Sequence, residues 1–194
     1  FTDTDSPLGT FDAVIGNVPF AQAPFGERRY RAGGHSLHNG FIIKQLALLR
    51  PGAYMAVITS RWTLDGEDTA ARRDMSRWGD LAAAYRLPKG TFGETADTDV
   101  VADVLVFRRR AEGEDPRDLG WIEAPERELG GNAVTVNAYF TEHPEHVLGR
   151  LTTETGPYGP RVTVQGDPGE APRLLRERME ATAAAAVADG LGYV

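Results

Sequence analysis

Cysteine is absent from the 194 residues, which excludes a disulfide framework and any thiolate metal centre. No apolar run approaches the ~20 residues that a bilayer-crossing helix needs. Nothing at the start reads as a signal peptide, so the sequence implies a cytoplasmic protein with no membrane partner. Positive charge is in deficit: 21 Lys and Arg against 28 Asp and Glu leave a net charge of -7. That balance argues against a global field for nonspecific nucleic-acid binding. Local basic clusters remain at residues 27–31 ("ERRYR"), at Arg72 and Arg73, and at Arg108 to Arg110, each readable as a solvated face or as a phosphate contact. Histidine is scarce. His35/His38 and His143/His146 are each spaced i, i+3, but no carboxylate pattern accompanies them and no metal site is assigned.

What is there, 41% hydrophobic and 25% charged residues, has the balance of one globular domain with a trailing segment. The polar opening "FTDTDSPLGT" reads as a loop leading into a fold already under way, so a piece of a longer protein is expected. "FDAVIG" (11–16) is an apolar alternating strand, taken as buried. "SLHNGFIIKQLALLRPG" sets Leu37, Phe41, Ile42, Leu46 and Leu49 at helical spacing, an amphipathic helix stopped by Pro51 and Gly52. "AYMAVITS" (53–60) is continuous enough for a strand covered on both faces. A polar surface helix ending near Gly79 follows, then two strands, "LAAAYRL" and "VVADVLVFRR", separated by the loop "PKGTFGETADTD".

Strands alternating with helices imply parallel pairing, and two strands joined by a loop alone imply an antiparallel pair. The expected fold is therefore α/β: a partial Rossmann-like sheet, parallel with an antiparallel hairpin edge, and a mixed C-terminal extension. The texture changes near residue 110, which divides a catalytic part (1–110) from an extension (111–194). In the extension, Asn137 is placed as a helix cap ahead of turns broken by Pro144, and a terminal helix runs from Pro172 to a stop at Gly190.

The strand at 11–16 ends in Asn17, Val18, Pro19 and Phe20. Ligands of open α/β sheets bind at the carboxyl ends of strands. An Asn side-chain oxygen and a backbone carbonyl held by a following Pro are two acceptors aimed at one point, which suits an amine with two hydrogens to donate. A ring two residues on suits stacking on the plane that carries it. Asn-x-Pro also opens many turns, so turn and site both remain open.

"NVPF" resembles the Asn-Pro-Pro-Tyr/Phe motif of amino-directed DNA methyltransferases, with Val18 in place of the first Pro. "HNGFIIKQLALLRPGAYMAVITS" and "RLPKGTFGETADTDVVADVLVFRRR" are similar, in the same order, to the large adenine-N6 methylases of phage and mobile elements, which are often fused to a helicase. "VNAYFTEHPEHVLGRL" resembles a segment downstream of their core, and together the likeness covers roughly residues 8–150. It implies transfer of a methyl group from S-adenosylmethionine to adenine N6 in DNA that has been flipped out of the duplex. In that reading Asn17 and the Val18 carbonyl bind the amine and Pro19 fixes the turn. Phe20 and Phe92 sandwich the base, and Phe41 lies against the cofactor adenine, although Phe41 reads equally as helix core.

The family's Gly-rich cofactor loop has no counterpart in the sequence. The chain is therefore expected to be the C-terminal half of a catalytic domain from a restriction-modification type of system, inactive alone. Its partners would be DNA, S-adenosylmethionine, the upstream half and a helicase domain of the same parent. The strand at 11–16 then becomes an exposed edge. Two other readings stay open: a methyltransferase of RNA or of protein glutamine, and a noncatalytic DNA-binding or scaffold module.

Overall fold

The computed structural model describes residues 6–19, 35–93 and 101–193. Its centre is a four-stranded sheet built from β1 (Phe11–Asn17), β2 (Leu49–Ser60), β3 (Gly79–Arg86) and β4 (Ala102–Arg109), in the order β1-β2-β4-β3. β1 and β2 pair in parallel, with Asn17 opposite Ile58. β4 enters antiparallel between β2 and β3, setting Ile58 opposite Val104 and Arg86 opposite Asp103. β1, β2 and β3 consequently run the same way and present their carboxyl ends at one edge. This is the mixed α/β sheet expected from the alternation of strands and helices.

The reading of residues 11–16 as buried is corrected. β1 is an outer strand with one neighbour, and Ile15 is 88% exposed. Among the described residues β2 is its only strand neighbour, while Val14 still packs on the core. α1 (Leu37–Leu48) is likewise not one-sided: Ile42, Ile43, Leu46 and Ala47 are buried, and so are His38 and Lys44. Pro51 and Gly52 do not end it. The helix stops at Leu48, and residues 49–52 are the bulged start of β2, whose register against β1 jumps between Phe11 and Ala13. Gly52 permits this bulge with a φ of 84°.

β2 alternates buried residues (Ala53, Met55, Val57, Thr59) with half-buried ones (Tyr54, Ala56, Ile58), so one face is fully covered and the other partly. α1, α2 (Trp62–Asp65) and α3 (Ala70–Trp78) belong to the covered side, where Leu64, Ala71 and Met75 join the main core. Gly79 follows α3 directly, since a Cβ there would lie 2.4 Å from the Arg108 carbonyl oxygen.

Beyond β4 come two hairpins, β5 (Glu126–Leu129) with β6 (Asn132–Thr135) and β7 (Arg150–Gly156) with β8 (Gly159–Gln165). Short α4 (Tyr139–Glu142) stands between them, and α5 (Ala171–Ala188) closes the chain. Trp121, Ile122, Val136, Phe140 and Val162 of this region share one hydrophobic core with the sheet. Asn137 stands one residue ahead of the cap position, which Ala138 fills, and its side-chain oxygen accepts the Tyr139 N–H at 3.0 Å. α5 lies on the second face of the sheet, packing Leu174, Leu175 and Met179 near Tyr85 and Val104. Among the described residues no helix is long and apolar enough to cross a membrane.

Candidate functional site

The carboxyl edge gathers the tips of β1, β2 and β3. Asn17 ends β1 with its side chain exposed. Val18 donates its N–H to the Ile58 carbonyl at 3.1 Å and buries its side chain to 1% exposure. This bond extends the parallel ladder by one residue, which a proline here could not do. Val18 is thus a residue of the core as well as of the tip. Pro19 follows, half-buried. Phe20 and the basic run 27–31 lie outside the described residues.

Phe41 is half-buried on α1 and packs against the main core. Phe92 lies in the turn after β3, 41% exposed, where the Gly93 N–H is bonded to the Gly90 carbonyl. β1 and β3 are the two outer strands. At ~4.8 Å per strand, their tips stand about 14 Å apart along one edge.

Behind that edge sits a buried charge network that was not anticipated from the sequence. Arg86 donates Nε to Asp103 Oδ1 (2.8 Å) and Nη1 to Asp65 Oδ2 (2.8 Å). Its Nη2 reaches Asp65 Oδ1 (3.0 Å) and Asp103 Oδ2 (2.8 Å). Arg86, Asp65 and Asp103 are all 0% exposed. Burial alone would lower the Arg86 pKa, but the attraction of Asp103 and Asp65 and their hydrogen bonds raise it above its usual range. Arg61 adds a bond to Asp65 at 3.1 Å, and the Asn137 backbone N–H donates to Asp65 Oδ1 at 2.9 Å. The network ties the end of β2, the end of β3, the start of β4 and the extension into one unit. A signal for it was present: Arg86 and Asp103 are single charges inside apolar strand runs.

The described arginine clusters are engaged internally. Arg72 is 1% exposed and donates to the Ile122 and Thr63 carbonyls. Arg108 bonds Glu114, Arg109 donates to the Trp78 carbonyl at 2.6 Å, and Arg110 bonds Asp80. These side chains brace the fold and are neither the solvated faces nor the phosphate contacts that the sequence left open, whereas Arg73 is exposed and bonds Glu123. At the carboxyl edge itself, the Arg61 guanidinium lies 3.7 Å from the centre of the Trp62 ring, and Trp62 is 50% exposed. Burial lowers the Arg61 pKa, against the pull of Asp65.

No family model matches the chain. "Defense against restriction protein B" of Escherichia phage P1 is 30% identical over 113 residues, covering 54% of this chain. The chain spans 5% of the length of that curated relative. Among solved structures, the type I restriction enzyme EcoKI M protein is 28% identical, with 54% of this chain and 22% of that chain covered and a TM-score of 0.43. A Listeria monocytogenes protein described as a class I S-adenosylmethionine-dependent methyltransferase is 17% identical, with 60% and 37% covered and a TM-score of 0.43. The chain is similar to restriction-modification methyltransferases.

Proposed function

We propose that residues 1–110 are the amine-binding part of a DNA methyltransferase that transfers a methyl group from S-adenosylmethionine to adenine N6. The observation that carries this reading is the tip of β1. There an exposed Asn17 side chain is followed by a Val18 anchored through its N–H and side chain, and then by Pro19. Anchoring Val18 fixes the backbone from which the Asn17 amide and the Val18 carbonyl would accept the two hydrogens of an exocyclic amine. Catalysis of this kind consists of positioning and electrostatics. The acceptors would draw on the amine hydrogens and turn its lone pair out of conjugation; S-adenosylmethionine, when bound, would supply the methyl group, its sulfur–methyl bond breaking as the nitrogen–methyl bond forms, with S-adenosylhomocysteine leaving and the amine giving up a proton. Phe20 and Phe92 are assigned to the faces of the flipped base and Phe41 to the cofactor adenine. The cofactor's methionine end would be held by residues outside this chain.

The likeness to "Defense against restriction protein B" supports a setting in restriction or its evasion. A second acceptor class is favoured by two observations. The net charge is -7 and the described arginine clusters are bonded internally. A glutamine side chain of a protein offers the same –NH2 geometry without a phosphate backbone. The test is methyl transfer from labelled S-adenosylmethionine by the longer protein that contains these residues, offered DNA, RNA and protein in parallel. N6-methyladenine in DNA, lost on Asn17→Ala, is the expected result. Label in protein alone would move the reading to glutamine, and no label in any acceptor would defeat it.

A further inference from the structure

The turn at residues 143–146, next to the carboxyl end of β3, brings together groups that the methyl-transfer reading does not use. His143 Nδ1 lies 3.4 Å from Glu145 Oε1, and His146 Nε2 lies 3.9 Å from the same oxygen. One ligand atom from each of the three side chains falls within 4.8 Å of the others. The two imidazoles stack at 5.5 Å with their planes 19° apart. We propose that His143, Glu145 and His146 form a binding site for a divalent transition-metal cation of the zinc and nickel class.

Three features support this assignment. First, the backbone is preset: the His146 N–H is bonded to the His143 carbonyl at 3.0 Å and the His143 N–H to the Tyr139 carbonyl at 2.8 Å, with Pro144 between them. Second, His146 is oriented from behind. Its Nδ1 lies 2.7 Å from the hydroxyl of Tyr139, a residue 4% exposed. With Nδ1–H donated to that hydroxyl, Nε2 turns its lone pair toward Glu145, the arrangement by which outer groups orient metal-binding imidazoles. Third, the donor set selects the ion. Two imidazole nitrogens and one carboxylate suit zinc or nickel, whereas magnesium and calcium favour all-oxygen shells.

Metal–ligand bonds of ~2.0–2.2 Å need the donor atoms somewhat closer than they stand. His143 and Glu145 have side chains 41% and 48% exposed and are free to rotate that far. Three protein ligands leave a position open to water or an anionic oxygen. A Val147–Arg86 bridge fixes the turn to β3, the outer strand farthest from Asn17. The site therefore stands apart from the methyl-transfer reading and does not depend on it.

The test uses the 194-residue chain, stripped with a chelator and titrated with Zn2+ in competition with a chromophoric chelator, and separately with Co2+ followed by its visible absorption. Expected are a single saturable site, a loss of affinity of about tenfold or more in His143→Gln and in Glu145→Gln, and ~10–100-fold in Tyr139→Phe, which keeps the ring and removes only the orienting hydroxyl. Because His143 and Glu145 are exposed, circular dichroism of their variants should match that of the parent chain. Absence of saturable binding up to millimolar Zn2+ would overturn the proposal, leaving an imidazole–carboxylate contact only. Undiminished binding in His143→Gln/Glu145→Gln would overturn it too, by locating the metal elsewhere.

Discussion

Replacing Arg86 with Met keeps a long side chain at the end of β3 and removes the cation from two buried carboxylates. Four hydrogen bonds of 2.8–3.0 Å disappear. Asp65 retains Arg61 and the Asn137 N–H, but Asp103 loses both bonds that Arg86 gives it. Breaking a buried pair from one side costs about 3–5 kcal/mol, because an uncompensated charge stays behind. At roughly 2–4 °C per kcal/mol for a domain of this size, melting should fall by about 6–20 °C. The pH dependence has a definite sign. Burial already holds the Asp103 pKa above its usual value against the pull of Arg86; without Arg86 it rises further above its unfolded value of ~3.9, which widens the range over which the folded state binds more protons than the unfolded one. The variant should gain stability as pH falls from 7 toward 5, narrowing its deficit against the parent chain. Arg86→Met/Asp103→Asn should recover ~1 kcal/mol or more of the loss, since the charge itself is gone. Urea unfolding of the three proteins at pH 7 and pH 5 measures all of this. A single variant within 1 kcal/mol of the parent at pH 7, or an equal deficit at both pH values, would refute the reasoning.

Other outcomes follow from the same edge of the sheet. Asn17→Ala should leave the melting temperature unchanged, because the side chain is exposed, while costing methyl transfer by the longer protein on the order of 3 kcal/mol of barrier; activity near the parent level would remove Asn17 from the chemistry. Phe92→Tyr or Phe92→Trp should keep base binding and Phe92→Ala should lose ~1–3 kcal/mol of it, read by quenching of a fluorescent adenine analogue in DNA. Equal quenching by all of them would make Phe92 a structural residue. Val18→Pro should destabilise the chain by roughly 1–3 kcal/mol in urea by orphaning the Ile58 carbonyl, and an unchanged midpoint would show that the ladder ends at Asn17. The outer strand β1 is expected to make the chain associate with concentration, measured by sedimentation, and Ile15→Lys should weaken this, since charge on an outer strand blocks edge pairing; association unaffected by the substitution would place the contact on another surface.

Local pattern was enough for the elements. The helical spacing from Leu37 onward, the apolar runs of β2, β3 and β4, and the Pro172 and Gly190 limits of the last helix are all written in neighbouring residues, and so is the antiparallel β3–β4 pair joined by a loop. The carboxyl-edge position of Asn17 followed as well, because parallel β1 and β2 leave one direction for the strand tips. Periodicity does not report which faces are covered. Ile15 and Val57 look alike in sequence, yet one is 88% exposed and the other fully buried: Ile15 stands on an outer strand opposite Ala56, on the partly covered face, whereas Val57 points to the covered face. Nor does sequence say what charges are for. Arg72 and Arg110 read as parts of basic clusters and Arg86 as a lone charge in an apolar strand until packing brings Ile122, Asp80 and Asp103 to them across 50, 30 and 17 residues. Short-range preference sets helix and strand, but burial and charge pairing depend on contacts between distant segments, and those exist only once the sheet has assembled.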